Sequence, residues 1–376
     1  MKRVQLDKTP ETCELVRNMV HDDLFERVKA RQAFAQAVTP AVQTILDQAV
    51  TLSALFERTP YDRNQRQVIP LEQYWDIRET DYVQVWSMET AGGLPTNHGH
   101  GLHEIPFITF PLGSAVELGE DYVRDANLNV IANEINKMGQ EVLQKREDYA
   151  SQVFLRALAE AETSYGDQTY KHIIRGNKAG EFTVTDYNSL ATRASRINAS
   201  WSGGTPAGTM SRGFSDLMIS PEKVEDLRNA AFNPLNTKGS DDLAGPEAAR
   251  NQIWQASGAP NIYGVNVLQF NELGIDQKWN DTFDEFAGST EYDGSAFDKD
   301  TEEIILAIDR RPKASPYGLL RMVEQGGHFP ETFQVRPDDQ YFSRQKTVGF
   351  WGEERTGFVI CDVRPVTGII IEAAGS

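Results

Sequence analysis

The chain has 376 residues, 40% of them hydrophobic and 24% charged, and a net charge of −18. That length allows two or three folding units of roughly 100–200 residues, each with a core, while an acid excess of this size repels a phosphate backbone and argues against nucleic-acid binding as the main task. Two distant cysteines, Cys13 and Cys361, exclude a disulfide framework or a zinc pattern and suit a reducing compartment, and no apolar run reaches the roughly 18 residues that a membrane helix needs.

Residues 1–13 are polar and charged and do not read as a signal peptide. Leu24, Phe25, Val28, Gln32, Phe34 and Val38 then recur at helical spacing. Thr39-Pro40 reads as an N-cap with proline in the first helical position, opening a second helix whose stripe is Val42, Ile45, Leu46, Ala49 and Val50 and which ends near Thr59-Pro60. Two helices ahead of any strand predict an arm rather than a core.

Residues 82–119 change period. Tyr82, Val83, Val85 and Trp86 predict an outgoing strand, and Ile105, Phe107, Ile108 and Phe110 its return. The polar, glycine-rich stretch 90–101, with Gly92, Gly93, His98 and His100, predicts a soft hairpin tip. A lone two-stranded ribbon is marginal in water and must lie on something. Residues 127–162 predict the strongest helix, with Ile131, Ile135, Met138, Val142, Tyr149 and Val153 in one seam; it would be roughly 50 Å long.

Residues 170–175 and 181–184, flanking a turn at 176–180, predict a second hairpin, and 189–198 a helix that the glycine-rich stretch 202–208 ends. A short strand over 216–219 runs into Ser220-Pro221, an N-cap and first-position proline for a helix through Val224 and Leu227. Residues 236–247 read as polar loop and 262–270 as strand. Residues 276–303 hold ten Asp and Glu against two Lys and predict an exposed loop or insertion. Residues 304–308 predict a buried strand, and 357–360 and 367–371 closing strands.

Chemistry is sparse. His98, His100, His103 and Glu104 are residue types that metals accept. On a strand His98 and His100 share a face while His103 points away, and the glycines leave the loop poorly preorganised, so a solvated tip is the better reading. Asp298, Asp300, Glu302 and Glu303 lack the glycine and the terminal glutamate of a calcium loop. Neither a Gly-x-Ser-x-Gly nucleophile turn nor a phosphate loop occurs, and Glu134 and Glu141 read as a wet helix face. The expectation is a protein without catalytic residues, metal or cofactor.

The order helical arm, long hairpin, long helix, hairpin, mixed region, closing strands resembles the Hong Kong 97-type fold of tailed-phage major capsid proteins. The segments 338–342, 348–355 (with Glu353, Glu354 and Arg355), Val363-Arg364-Pro365 and 369–371 are similar to that family's closing strands. The resemblance implies an α+β fold with an N-terminal arm (1–74), an E-loop hairpin (75–120), a P-domain with the spine helix (121–215), an A-domain (216–344) and closing P-domain strands (345–376). It implies a non-enzymatic subunit that assembles with copies of itself into hexamers and pentamers of an icosahedral head, built in the host cytoplasm and residing in the virion. Portal, scaffolding and decoration proteins are the implied partners, with packaged DNA touched only non-specifically and no membrane. With about 75 residues ahead of the hairpin, scaffolding is expected from a separate protein or from none. Some members join subunits by an isopeptide bond between an E-loop lysine and an asparagine, aided by a glutamate. Glu353 aligns with that glutamate, but residues 82–119 contain no lysine and Lys346 stands at the acceptor position. The expectation is therefore no cross-link, with Glu353 paired to an arginine such as Arg355 or Arg364. The alternatives are an encapsulin-type compartment shell and, third, a metal-dependent enzyme built on His98, His100 and His103.

Overall fold

A computed structural model describes residues 8–48, 51–70, 104–165, 168–177, 179–198, 213–232, 261–262, 264–310, 318–325, 332–338 and 346–373. The elements in chain order begin with helix α1 (Pro10–Asn18), which Thr9 caps, its hydroxyl accepting from the Thr12 N–H at 3.2 Å. Helix α2 (Leu24–Gln48) and strands β1 (Glu57–Asp62), β2 (Val68–Pro70), β3 (Glu104–Pro106) and β4 (Phe110–Gly119) follow. Helices α3 (Glu120–Arg124) and α4 (Leu128–Glu160), strands β5 (Glu162–Tyr165), β6 (Gln168–Lys171) and β7 (Ile173–Arg175), and helix α5 (Val184–Asn198) come next. Then come β8 (Asp216–Ile219), α6 (Pro221–Phe232), β9 (Asn261–Ile262), β10 (Val265–Gln269) and α7 (Lys278–Ala287). The chain closes with β11 (Glu291–Tyr292), β12 (Ser295–Ala296), β13 (Glu302–Ile308), β14 (Leu319–Gln325), β15 (Gln334–Asp338), β16 (Thr347–Ile360) and β17 (Val366–Glu372). The architecture is α+β.

Two units form. Unit 1 takes described residues within 1–68, 106–151 and 320–359, and unit 2 those within 69–105, 152–319 and 360–376. Unit 1 gathers β1, β4, β14, β15 and β16 into one sheet, ordered β1-β14-β16-β15 with β4 also on β16. Pairing between strands so far apart in sequence is decided by packing, not by chain order.

In unit 1, Phe34, Val38, Val42 and Ile45 of α2 pack with Ile131, Ile135, Met138 and Val142 of α4 and with Val348 and Phe350 of β16. The Phe34 and Phe350 rings lie 5.2 Å apart. The arm expected from the sequence is thus part of a core. Nor is it two helices: Pro40 lies inside α2. The Thr39 hydroxyl does not cap; it donates to the Ala35 carbonyl at 2.8 Å and accepts the Val335 N–H of β15 at 3.2 Å. A proline costs a helix one N–H bond, and apolar packing on both sides of Pro40 carries the helix through it. Val16 of α1 and Met19 just after it also join this core.

The outgoing strand and tip of the predicted hairpin, with Gly92, Gly93, His98, His100 and His103, lie outside the described residues. Of the returning residues, Ile105 belongs to β3, which pairs with β2, while β4 pairs antiparallel with β16 from Phe110↔Thr356 to Gly119↔Thr347.

Unit 2 is built on a mixed sheet ordered β7-β17-β13-β8-β10-β9. All seven residues of β13 are buried, which explains its unbroken apolar run Ile304–Ile308. Gly368 keeps β17 bare where α4 ends: a Cβ there would fall 3.1 Å from Leu158 Cδ2. The predicted hairpin over 170–184 does not form. β5 pairs with β6 instead, and β7 pairs parallel with β17, because Ile173 and Ile174 find a buried partner far along the chain. Residues 181–183 instead lead into α5, whose start is a reciprocal box: Asp186 accepts the Thr183 N–H at 2.9 Å and Thr183 accepts the Asp186 N–H at 3.3 Å. Burial alone would raise the Asp186 pKa; the bonds from Thr183 and Asn177 outweigh it and hold it low. The strand expected over 262–270 is broken by Gly264, at φ +80°, into the hairpin β9–β10.

The acidic stretch 276–303 is not an exposed loop. It holds α7, with Trp279 and Phe283 buried, and the hairpin β11–β12. Glu302 and Glu303 lie in β13: Glu302 pairs with Arg175, and Glu303 accepts the Ser220 hydroxyl at 2.5 Å while burial raises its pKa.

His172 is wholly buried. Its Nδ1 donates to the Val366 carbonyl at 2.8 Å, so its Nε2 accepts from the Thr163 hydroxyl at 2.6 Å. Burial lowers its pKa from 6.5 to about 4. The folded state therefore binds fewer protons than the unfolded state between those values, and stability falls as pH drops from 6.5 towards 4. The expected loss is about 3 kcal/mol. Denaturant unfolding across that pH range checks this against His172→Gln, whose curve should lack that component; an identical pH slope in the two proteins would count against it.

Candidate functional site

The segment singled out by sequence lies on β16. Successive strand residues face opposite sides, so Trp351, Glu353 and Arg355 share one face and Phe350, Gly352 and Glu354 the other. Gly352 faces the buried Phe333, and a Cβ there would come within 2.4 Å of two of its ring carbons.

Glu354, with its side chain 2% exposed, pairs with Arg146 of α4, whose side chain is 3% exposed. Both the Nε and Nη2 of Arg146 donate to its two carboxylate oxygens, the strongest geometry for such a pair. Arg321 of β14 stands 3.5 Å from the same carboxylate and donates to the Thr356 hydroxyl at 3.2 Å.

On the other face, Glu353 meets Arg336 of β15 at 3.3 Å, and the Arg336 guanidinium sits 5.6 Å from the centroid of the Trp351 ring. The register places Arg336 opposite Trp351, one diagonal step from Glu353. Glu353 borders an open hollow of ≈ 260 Å³ lined also by Leu112, Ser114 and Trp351. Arg355 donates to the Thr109 hydroxyl at 3.0 Å and lies 3.7 Å from the fully buried Glu324.

The arginine of Glu353 is therefore Arg336, not Arg355 or Arg364. Arg355 answers Glu324. Arg364 is bound within its own turn, donating to Asp362 at 2.9 and 2.6 Å. Lys346 is exposed just before β16, in the left-handed region at φ +51°, and its carbonyl accepts the Glu120 N–H at 3.0 Å. Sequence reading missed Arg146, Arg321, Arg336 and Glu324. One signal was present: Arg146 falls four residues after Val142, a charge on the apolar seam of α4.

Among the described residues no three His, Cys, Asp or Glu side chains converge as metal ligands, and no described helix is long and apolar enough to cross a membrane. The Asp298 carboxylate accepts from the Asp300 N–H and the Thr301 hydroxyl, closing a turn. Glu354 thus pairs with Arg146 and Glu353 with Arg336, and Arg355 lies near Glu324.

Comparisons with protein-family models and with curated proteins return no match. Among solved structures the chain is similar to the capsid of Cyanophage P-SCSP1u (12% identity, 86% of this chain and 87% of that one, TM-score 0.47). It is similar to the holo-SrpI encapsulin complex of Synechococcus elongatus (10%, 86% and 88%, TM-score 0.46). It is also similar to a virus-like particle from Pyrococcus furiosus (13%, 90% and 98%, TM-score 0.40). At these identities and scores the likeness concerns the trace of the chain alone.

Removing one partner of a buried ion pair strands the other. Glu354→Leu is expected to lower stability by about 3–5 kcal/mol, while Arg146→Met with Glu354→Leu recovers most of it. Chemical denaturation of the three proteins checks this; a single variant as stable as the parent would refute the assignment. Gly352→Ala, which must displace the Phe333 ring, is expected to cost about 1–3 kcal/mol in the same measurement.

Proposed function

We propose that this chain is a structural shell subunit of the tailed-phage major-capsid kind, working by self-association. The observation that carries the reading is the use of its charged side chains. The Glu353-Glu354-Arg355 segment, the part most similar to that family, is spent on ion pairs with Arg146, Arg336 and Glu324 inside unit 1. The element order supports it too: helices at the N-terminus, the β2–β3 ribbon flanking residues 71–103, then the 33-residue α4. Ribbons of two strands are marginal alone and gain most when a neighbouring copy covers them. Leu24, Phe25 and Ile108, at 62%, 72% and 83% exposure, are apolar side chains that such a neighbour would cover.

The finer form of the proposal is an icosahedral head of hexamers and pentamers enclosing DNA, residing in the virion after assembly in the host cytoplasm. It carries the division into arm, E-loop, P-domain and A-domain given above, and portal, scaffolding and decoration proteins as partners. Repetition of one heterologous contact closes such rings. The shells form without covalent cross-links, since residues 82–119 offer no lysine to Glu353.

Negative-stain microscopy of the purified chain tests the class, with closed shells expected; a protein that stays monomeric at all concentrations refutes it. Particle contents separate a DNA-filled head from a compartment holding a cargo enzyme. A boiled denaturing gel of the shells should give one band at the monomer mass, and a ladder above it would overturn the absence of cross-links.

A further inference from the structure

Charge is unevenly spread within unit 2. Asp281, Asp284 and Glu285 stand on α7, on the side away from its buried Trp279 and Phe283. Elsewhere in the same unit an open hollow of ≈ 520 Å³ lies along α5 beside β6 and β7. Ser189, Thr192 and Arg196 line it at spacings of three and four residues, from the side of α5 opposite the buried Leu190, Ala194 and Ile197. Arg193 joins them, its guanidinium 5.4 Å from the centroid of the Tyr170 ring.

Most of this lining donates hydrogen bonds. Its third arginine, Arg175, is already committed to Glu302 and to the carbonyls of Tyr292 and Ala296. Asp293, the carboxylate in the lining, accepts the Arg175 N–H at 3.2 Å. Among the described residues neither Arg193 nor Arg196 has a carboxylate partner. Two guanidinium forks on one helix can each meet a carboxylate, and Asp284 and Glu285, neighbours on α7, offer two, while Asp281 stands 3.3 Å from Lys299.

We propose that the hollow and the acidic side of α7 are the two halves of a contact between copies of this chain: Arg193 and Arg196 of one copy receive Asp284 and Glu285 of another. The inference rests on the self-association reading and names a surface for it. Copies carrying a charge of −18 repel one another at long range, so a contact between them needs a local patch of opposite sign.

The test reverses the charges in the full chain. Arg193→Glu with Arg196→Glu, and separately Asp284→Arg with Glu285→Arg, are each expected to reduce the assembled fraction at least about tenfold at 0.15 M salt, with far-ultraviolet circular dichroism unchanged. The combined fourfold variant should regain shells, because the pairs are restored in reverse. Arg193→Gln with Arg196→Gln, a milder change, should weaken assembly in the same direction and serves if a reversal variant does not fold. Normal assembly of the Gln pair or of any folded reversal pair, or no recovery in a folded fourfold variant, overturns the proposal. Normal assembly of the arginine variant together with lost binding of inorganic pyrophosphate overturns it and assigns the hollow to a free oxyanion. Both results leave the shell reading standing; only a parent chain that never assembles removes that reading itself.

Discussion

A carboxylate on the middle strand of a sheet must bring its own counter-ion, and unit 1 is arranged around that demand. Glu354 is shut from water between α4 and β14, where an unpaired charge would cost several kcal/mol. Arg146 meets it from the apolar seam of α4, so that helix has one rotation and one height at which both the ion pair and the Ile131–Val142 seam are satisfied. The bare Gly352 lets Phe333 reach the sheet beside the pair, and α2 then closes over Phe350. Pro40 is tolerated inside α2 because those contacts hold the helix on either side of it.

Unit 2 solves the same problem by other means. Asp216 is buried on β8, and although burial pushes its pKa up, hydrogen bonds from Arg310 and Ser215 prevail and hold it low. Glu302 ends the all-buried β13 against Arg175, which also ties the β11–β12 hairpin through its carbonyls. His172 remains neutral rather than paired, because its two ring nitrogens are already served by a carbonyl and a hydroxyl. In each case a polar group in a core is matched locally by a hydrogen bond or a counter-ion.

This economy bears on function. Among the described residues, the acidic side of α7, the arginines of α5, and scattered apolar side chains such as Phe25 and Ile108 remain at the surface and available for recognition. Under the shell reading these are where copies would meet, and assembly, more than the isolated subunit, would hold much of the stability.

Periodicity alone was enough for α4, for β8 running into the Ser220-Pro221 cap of α6, and for β13, because each is a local pattern with a local reason. Composition misled over 276–303, where ten acids hid a helix whose Trp279 and Phe283 are core residues. Local grammar misled at Thr39-Pro40, a valid cap signal overruled by packing on both sides. The Glu353-Glu354-Arg355 run was visible as a site, but its partners were not: Arg336, Arg146 and Glu324 lie 17, 208 and 31 residues away in sequence. Which arginine reaches which carboxylate depends on strand register and helix rotation, quantities that exist only once distant segments pack, and so the tertiary structure alone decided it.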